Sequence, residues 1–462
     1  MGTGFLASMR DMLKAQIGRI VLTLRGIPTF FRDAVFRRLF LNAGKLLTAN
    51  SIATLLGFVI TAIVARALGP KNYGVLALIL AYQQTIGKLV SFNASEAIIK
   101  FGAEKLQSNE QEGLRQLVKF GFCLDLGSAG VGTLLAMMLV SPVIAMIGWD
   151  PSIKPLLMLY SVLILFSWTG TAVGILRLFN RFDLLSYAPI IDTLLKLGGV
   201  FWCLSTRQTL LSFVIVYLIS SIAASLYQMM ASLWVLRKNG VRGVIRQPLS
   251  GLSSHLPGIW KFVLSTNINS TIRMLSRETD MLILAGLLAP EELGLYKIAK
   301  VFSRPLSLII DPFYFSLYPE LAKLWAAKQR TRFVSLNKRV TLLAGGLGLI
   351  IWVCFAAFGK WLILRIVGEA YIESYIIGVI YMMAIVIAIC GFSLQPSLLA
   401  IGQPGKSLKS NAVATLLYIV LLFPAVKLLG VVGAPVAYVT YYLIWTILMF
   451  RYLVIHLSGR SA

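Results

Sequence analysis

Charged residues recur inside two long apolar stretches of the C-terminal half, 262–288 and 293–318, where basic side chains outnumber acidic ones. The charged members are Arg273, Arg277, Glu278, Asp280, Lys297, Lys300, Arg304 and Asp311. A charge near the centre of a bilayer costs at least ~2.5–3.5 kcal/mol, so membrane-spanning helices keep their charges away from lipid. We therefore expect both stretches to turn these side chains toward a protein-lined, hydrated interior.

The spacing of these charges places them on two helical faces. The three basic residues of the second stretch lie at i, i+3 and i+7, and Asp311 lies at i+14, so all four share one face. In the first stretch Arg273, Arg277 and Asp280 lie at i, i+4 and i+7. A strip of cations suits phosphates and acidic sugars, because arginine binds such anions through two parallel hydrogen bonds. The predicted substrate-binding residues are Arg273, Arg277, Lys297, Lys300 and Arg304, extended by Lys88 of an earlier helix.

Ion pairing is the alternative use of the same charges. Asp280 with Arg277, or Glu278 with a lysine of the second stretch, would hold helices together without contacting a substrate. Five cations against three anions leave a surplus of two positive charges in these stretches. This surplus favours anion binding by at least some of the basic residues.

Carboxyl groups inside membrane spans often relay protons or bind ions. The candidates for coupling to H⁺ or Na⁺ are Glu96, Asp125, Glu278, Asp280 and Asp311. Any one of them, taken alone, is more often structural than coupling. A further carboxyl, Asp192, precedes Lys196 by four residues and is expected to pair with it on one helix.

The composition is that of a polytopic membrane protein. Of the 462 residues, 58% are hydrophobic and 13% are charged, with a mean hydropathy of +0.82, whereas soluble proteins carry about 25% charged residues. The net charge is +25, which would also suit a nucleic-acid-binding protein. Most basic residues lie in short loops between apolar runs, so the charge indicates membrane topology and argues against a nucleic-acid partner.

Twelve apolar segments are near or above the ~20 residues that a spanning helix needs. They are 46–68, 74–98, 117–141, 155–176, 184–204, 209–236, 262–288, 293–318, 339–359, 372–395, 408–428 and 431–453. Loops on the side of the N-terminus hold 29 lysines and arginines and the opposite loops hold six, which places both termini in the cytoplasm. Residues 1–43 are predicted to form a basic amphipathic helix on the membrane surface, or a loosely ordered basic tail. Most of the tryptophans near span ends are expected to be interfacial anchors, namely most of Trp149, Trp325, Trp352, Trp361 and Trp445.

A short segment is repeated with an offset of 220 residues. Leu68–Val75 (LGPKNYGV) and Leu288–Leu295 (LAPEELGL) each end one apolar segment and open the next. Six spans separate the copies, so both halves have the same orientation and form a parallel repeat about an axis along the membrane normal. We predict an all-α polytopic membrane protein with about twelve spans in two six-helix bundles, 44–236 and 262–462. A basic cytoplasmic linker at 237–261 joins them.

Two stretches resemble bacterial oligosaccharide flippases of the polysaccharide transporter family, in the multidrug/oligosaccharidyl-lipid/polysaccharide (MOP) exporter superfamily. The first is Ser51–Tyr82, with the turn RALGPKNYG, and the second is Gly402–Tyr438. The resemblance implies two bundles facing each other across a cavity lined by helices 1, 2, 7 and 8. It also implies translocation of an undecaprenyl-pyrophosphate-linked oligosaccharide to the periplasmic leaflet of the bacterial inner membrane, for O-antigen, capsule or exopolysaccharide synthesis. Coupling would use H⁺ or Na⁺ and no other cofactor, with polymerase or export proteins and membrane lipids as partners.

Two other function classes stay open at this point. A multidrug or cation antiporter of the same superfamily should have an acidic or aromatic cavity, whereas the charge surplus here is positive. A membrane polysaccharide polymerase should need a sizeable periplasmic loop for its catalytic acids, and the longest such connection runs over about 142–154. We therefore expect a transporter rather than an enzyme, with no catalytic or metal-binding residues.

Overall fold

The computed structural model describes residues 34–92, 94–206, 209–248, 256–264, 266–267, 280–304, 306, 317–318 and 320–457, with side chains from Ala53 onward except at 245. Every long element in these ranges is an α-helix. The helices are α1 Ala34–Val90, α2 Ala94–Gln107, α3 Gln111–Ile147, α4 Lys154–Ser161, α5 Thr169–Leu178, α6 Phe182–Ser205, α7 Leu210–Lys238, α8 Asp280–Ala285, α9 Pro290–Phe302, α10 Arg330–Ile366, α11 Ser374–Gly391, α12 Leu394–Ala400, α13 Pro404–Leu429 and α14 Gly433–Leu457.

The described part contains eight segments long and apolar enough to cross a membrane. Their outward faces carry many more large apolar side chains than the surface of a soluble protein does. Examples are Leu343 at 71%, Leu416 at 65% and Val420 at 60% exposure. The prediction of an all-helical, multi-pass membrane protein is therefore confirmed. Twelve spans and cytoplasmic termini stay predictions, and residues 1–33 of the predicted surface helix lie outside the described ranges.

The first repeated turn breaks α1 into two helical segments. Gly69 has φ 71° and ψ 168°, outside the helical region, while the residues on both sides are helical. Glycine accepts a positive φ without a steric cost. Pro70 follows, and its missing N–H and fixed φ suit the first residue of a new helix. In the second turn Pro290 is likewise the first residue of a helix, α9. The Glu292 carboxylate accepts the Ala289 N–H at 2.9 Å.

The second span is shorter than predicted. The segment assigned to 74–98 ends at Val90, and a separate helix, α2, begins at Ala94. Glu96 therefore lies in the first turn of α2 and not on the helix that carries Lys88, which corrects the sequence-based assignment. Hydropathy could not locate this boundary, because the residues on both sides of the break are apolar enough to continue one span.

Other spans are longer than their apolar parts. The predicted 117–141 extends over Gln111–Ile147 and ends at Gly148, which has φ 75°. The predicted 339–359 extends over Arg330–Ile366. A helix of 37 residues is roughly 55 Å long, more than the ~30 Å of hydrocarbon. The polar turns at its ends extend beyond the apolar layer, where a hydropathy window cannot follow them.

One hydrophobic core runs through both halves. A second, smaller core lies within the N-terminal half. The second core packs Leu256, Ile259 and Val263 against residues of α2, α3, α5 and α7, such as Phe101 and Leu117. Phe101 also meets Phe262 edge to face, with 5.7 Å between ring centroids. The end of the predicted linker and the start of the predicted C-terminal bundle therefore pack on the N-terminal half.

Asp125 of α3 contacts the next span, Pro151–Leu178, close to an interruption in its α-helix. The chain between α4 and α5 leaves the α-helix for a 3-10 segment at Val162–Phe166. The Asp125 carboxyl accepts the backbone N–H of Thr171, in the first turn of α5, at 2.6 Å and is 3% exposed. Helix N-termini have unpaired N–H donors and a positive dipole end, so Asp125 stabilises the start of this half-helix. Its predicted coupling role stays a prediction beside this structural one.

We expect Asp125→Ala to lower the free energy of unfolding by about 1–3 kcal/mol, because the buried Thr171 N–H loses its acceptor. Asp125→Asn keeps an acceptor oxygen and should cost less. Thermal unfolding of the purified protein in detergent measures this order. Leu126→Ala, at the neighbouring and exposed position, is the control. Equal melting temperatures for Asp125→Ala and Leu126→Ala would contradict the capping role.

Candidate functional site

The two repeated turns cross each other backbone to backbone. A Cβ atom added to Gly74 would overlap the Pro290 carbonyl and lie 3.0 Å from the Gly294 nitrogen. A Cβ atom added to Gly294 would overlap the Pro70 carbonyl and lie 3.2 Å from the Gly74 nitrogen. The contact is reciprocal because the residues are equivalent in the two repeats. We call it the glycine crossing, and the end of the molecule where it lies the turn end.

Other contacts join the two halves at the turn end. The Trp149 indole N–H donates to the Leu288 carbonyl at 3.2 Å. The Tyr371 hydroxyl donates to the Ala65 carbonyl at 2.8 Å, and its ring meets that of Tyr73 edge to face with 6.3 Å between centroids. Together with the glycine crossing these contacts hold the two halves together at this end.

Trp149 is not the interfacial anchor that the sequence suggested. It is 8% exposed and connects the loop after α3 to the second repeated turn. The next residue fixes this loop, since the Asp150 carboxylate accepts the Ser152 N–H at 2.9 Å, and this hydrogen bond holds the pKa of Asp150 below its ordinary value. A tryptophan near a span end has the same sequence context in either role, and only the partner across the interface distinguishes them.

One accessible stripe is formed by the basic residues of α9, Lys297 and Lys300, and by Arg304, two residues beyond its end. Between Leu293 and Arg304 every residue is buried except Lys297 and Lys300, which are partly buried, and Arg304, which is exposed. Arg304 lies roughly 21 Å from Pro290 at 1.5 Å per helical residue. Charges on the accessible side of a helix inside a membrane are too costly in lipid. We therefore infer that the cationic stripe (Lys297, Lys300 and Arg304) borders an interior space.

Asp280 of α8 compensates one charge of the cationic stripe. Its carboxylate oxygens lie 2.9 and 2.7 Å from the Lys300 amino group, and the Tyr296 hydroxyl donates to one of them at 3.1 Å. Asp280 is 7% exposed and the Lys300 side chain is 26% exposed. The carboxylate is therefore buried with its partner's charge at the edge of the interior space. Sequence spacing suggested Arg277 as a partner of Asp280 and gave no sign of Lys300.

The first repeat has a weaker version of this surface. Gln84 is equivalent to Arg304 and is exposed, and Lys88 is exposed one helical turn further along the same face. Glu96 and Asp125 lie in the N-terminal half, at α2 and α3. Four predicted site residues lie outside the described ranges, namely Arg273, Arg277, Glu278 and Asp311.

The predicted pairing of Asp192 with Lys196 is confirmed. The two charged groups lie 2.6 Å apart on α6, and the other Asp192 oxygen accepts the Ser221 hydroxyl at 3.1 Å. The Lys196 amino group also lies over the Tyr217 ring, 5.1 Å from its centroid. In the described part of the chain, no three His, Cys, Asp or Glu side chains come close enough to hold a metal ion.

A tyrosine cluster whose members the sequence did not single out lies next to the Asp280–Lys300 pair. The Tyr381 ring meets the Tyr296 ring edge to face at 5.8 Å and stacks on the Tyr438 ring at 5.1 Å. Tyr441 and Tyr442 of α14 continue the cluster beyond Tyr438. The available signal was the spacing of the α14 tyrosines, which puts them on one helical face, but spacing alone could not show that this face lies near the cations.

A methyl group at the glycine crossing should open the turn end. Gly74→Ala and Gly294→Ala each place an atom inside the opposing backbone, so we expect spin labels at Asn72→Cys and Glu291→Cys to move to longer distances. Double electron–electron resonance in lipid nanodiscs measures them. Gly57→Ala, with no neighbouring atom within 4 Å, should leave the distances unchanged. An unchanged distribution in Gly74→Ala would mean that the two turns do not meet in the membrane.

Breaking the Asp280–Lys300 pair should destabilise the C-terminal half. Asp280→Asn leaves the lysine charge without its counter-ion, and loss of one partner of a buried pair costs about 3–5 kcal/mol. The double variant Asp280→Asn/Lys300→Gln should recover part of the lost melting temperature in detergent. Glu320→Gln is the control, because the Glu320–Lys323 pair is exposed and such pairs contribute about 0–1 kcal/mol. Equal shifts for Asp280→Asn and Glu320→Gln would contradict the buried pair.

Comparison with known proteins identifies the family. A family model described as polysaccharide biosynthesis protein matches residues 39–325. The inner membrane protein YghQ of Escherichia coli (strain K12) is 27% identical over 351 residues, which cover 76% of this chain and 98% of that relative.

Solved structures of low sequence identity share the fold. An inward-facing multidrug resistance MATE family transporter of the MOP superfamily has a TM-score of 0.70 at 14% identity, over 88% of this chain and 95% of that chain. The lipid II flippase MurJ, in an inward closed conformation, has a TM-score of 0.69 at 16% identity, over 88% and 86% of the two chains. An outward-facing MATE transporter has a lower TM-score of 0.59 at 14% identity, over 90% and 94%. The resemblance found in the sequence is confirmed, and the chain belongs to the polysaccharide biosynthesis protein family, with the fold of the MOP superfamily.

Proposed function

We propose that this protein is a flippase for a lipid-linked oligosaccharide. The substrate is a saccharide joined to undecaprenyl through pyrophosphate, and the protein moves it from the cytoplasmic to the periplasmic leaflet of a bacterial inner membrane. The product would supply O-antigen, capsule or exopolysaccharide synthesis, with polymerase or export proteins downstream. The family membership and the MurJ-like fold support a substrate of this class.

The cationic stripe is the observation that carries the proposal. Lys297, Lys300 and Arg304 are the accessible positions of a segment that is otherwise buried from Leu293 onward. A pyrophosphate is a compact anion that takes charge-assisted hydrogen bonds from several donors, and arginine binds it through two nitrogens at once. The same stripe disfavours a cation antiporter, because it would repel a cationic cargo.

The contacts at the turn end support a mechanism of alternating access. If the loops rich in lysine and arginine are cytoplasmic, the turn end is periplasmic, and the contacts of the glycine crossing, Trp149 and Tyr371 close the periplasmic side. This state would accept a substrate from the cytoplasm. The higher TM-scores to the two inward conformations than to the outward one support an inward state. Twelve spans with both termini in the cytoplasm complete the proposed topology.

The Asp280–Lys300 pair offers a route to ion coupling. A substrate phosphate would compete with the Asp280 carboxylate for the Lys300 amino group, and a carboxylate that loses its partner binds H⁺ or Na⁺ more readily. Glu96, Asp125, Glu278 and Asp311 stay as further candidates. Of the described carboxyl groups, Asp280 is the one in contact with the cationic stripe, so it is the first to test.

Removing the arginine charge should slow transport without preventing insertion. Arg304→Gln is expected to lower the translocation rate by about tenfold to a hundredfold, the equivalent of ~1.5–3 kcal/mol for a hydrogen bond to a charged group. Arg304→Lys keeps the charge but loses the two-nitrogen geometry, and should fall in between. The measurement is translocation of an undecaprenyl-pyrophosphate-linked saccharide in proteoliposomes.

Lys360→Gln is the matched control, since this lysine is exposed near the end of α10 and lies outside the cationic stripe. It should retain the wild-type rate. Arg277→Gln tests the sequence-based extension of the stripe in the same assay. Wild-type rates in both Arg304→Gln and Arg277→Gln would show that the basic residues are structural.

A further inference from the structure

The helix α14 has an aromatic face and a lipid face. Tyr438, Tyr441, Tyr442 and Trp445 lie at i, i+3, i+4 and i+7, on one side of the helix. The opposite side carries exposed apolar residues, namely Leu443 at 43%, Ile447 at 61%, Phe450 at 58% and Val454 at 44%. The exposed apolar stripe faces lipid, so the aromatic side faces the protein. We call Tyr438, Tyr441 and Tyr442 the tyrosine face.

The tyrosine face is accessible although it points away from lipid. Its three residues are partly exposed, whereas Trp445 and Met449, further along the same side, are 7% and 0% exposed. Surface that is accessible on the inward side of a spanning helix borders an interior space. This accessible part is limited to the first turns of α14.

The tyrosine face and the cationic stripe lie at a similar depth from the turn end. Tyr441 is roughly 12 Å into α14 and Lys300 is roughly 15 Å into α9, at 1.5 Å per residue. The two helices start side by side, since a Cβ atom at Gly430 would lie 3.8 Å from the Glu292 carboxylate. The rings of Tyr381 and Tyr296 bridge them: Tyr381 stacks on the tyrosine face and Tyr296 bonds the carboxylate that holds Lys300.

A buried hydroxyl in this cluster has no hydrogen-bond partner among the described residues. Tyr418 of α13 is 7% exposed and packs on Tyr438 and Tyr441, with centroids 5.8 and 5.9 Å apart, but its hydroxyl oxygen is unpaired. A buried polar group without a partner costs about 1–3 kcal/mol. The hydroxyls of Tyr438 and Tyr442 lie 3.2 Å apart, so one donates to the other and the second keeps a proton to donate elsewhere. The cluster thus has unused hydrogen-bonding capacity next to flat aromatic surface.

We infer that the tyrosine face binds the pyranose rings of the substrate, beside the cationic stripe that binds its pyrophosphate. This inference rests on the proposed function. A pyranose presents a C–H face that packs on an aromatic ring, and its hydroxyls exchange hydrogen bonds with phenols at the ring edge. A phosphate offers neither feature and a polyprenyl chain offers no hydroxyls, so the two polar parts of one substrate would contact two different chemistries.

Binding of two lipids to the purified protein in nanodiscs separates these roles. The probes are undecaprenyl pyrophosphate and undecaprenyl pyrophosphate carrying N-acetylglucosamine, and the measurement is Kd by microscale thermophoresis. We expect Tyr441→Ala to weaken the saccharide-bearing lipid by about tenfold while leaving the saccharide-free lipid unchanged. Tyr441→Phe keeps the ring and should stay within about threefold of wild type. Phe450→Ala, on the lipid face of the same helix, should change neither value.

Arg304→Gln should weaken both lipids, which keeps the two proposals apart. Failure of wild type to bind either lipid would count against the proposed function itself. The inference about the tyrosine face is overturned if wild type binds both lipids equally, or if Tyr441→Ala weakens both to the same extent. Thermal unfolding of each variant confirms that the folded protein is being compared.

Discussion

The arrangement of the two halves depends on a backbone contact between Gly74 and Gly294. Gly74 and Gly294 each lie at the start of a helix, and the two helix starts cross so closely that neither position has room for a side chain. This close approach brings α1 and α9 together, and it lets Trp149 and Tyr371 bridge the halves nearby. The predicted parallel repeat would place this contact on the axis that relates the two halves.

The two repeats share a backbone plan but differ in charge. Gln84 in the first half stands where Arg304 stands in the second, and α9 adds two lysines that the first half lacks at equivalent positions. A charge inside a membrane protein is stable only beside water or a counter-ion. Lys300 has both: Asp280 at 2.7 Å and the edge of an interior space. Under the proposed function, the anion-binding side of that space would come mainly from the C-terminal half.

The sequence predicted the parts of this site that follow from local periodicity. Lys297, Lys300 and Arg304 share a face because of helical spacing, and that face is the accessible one. Asp192 and Lys196 pair because they are one helical turn apart. The partner of Asp280 was not predictable in this way, because Lys300 lies 20 residues away on the next helix. The tyrosines of α14 are further still along the chain. They reach α9 through Tyr381 of α11, which depends on how the helices of the C-terminal half pack.

The sequence by itself indicated that the chain spans a membrane and that three of its cations share one face of one helix, and it predicted a duplication from one repeated segment. These properties follow from hydropathy, repetition and helical period, which can be recognised along the chain without knowing which segments are neighbours in the fold. The tertiary structure decided where α1 breaks into α2, that Trp149 bridges the halves, that Lys300 is held by Asp280, and that Gly74 and Gly294 touch. Each of these depends on a contact between segments distant in sequence, and apolar spans alike in composition give no signal of which neighbour they will meet.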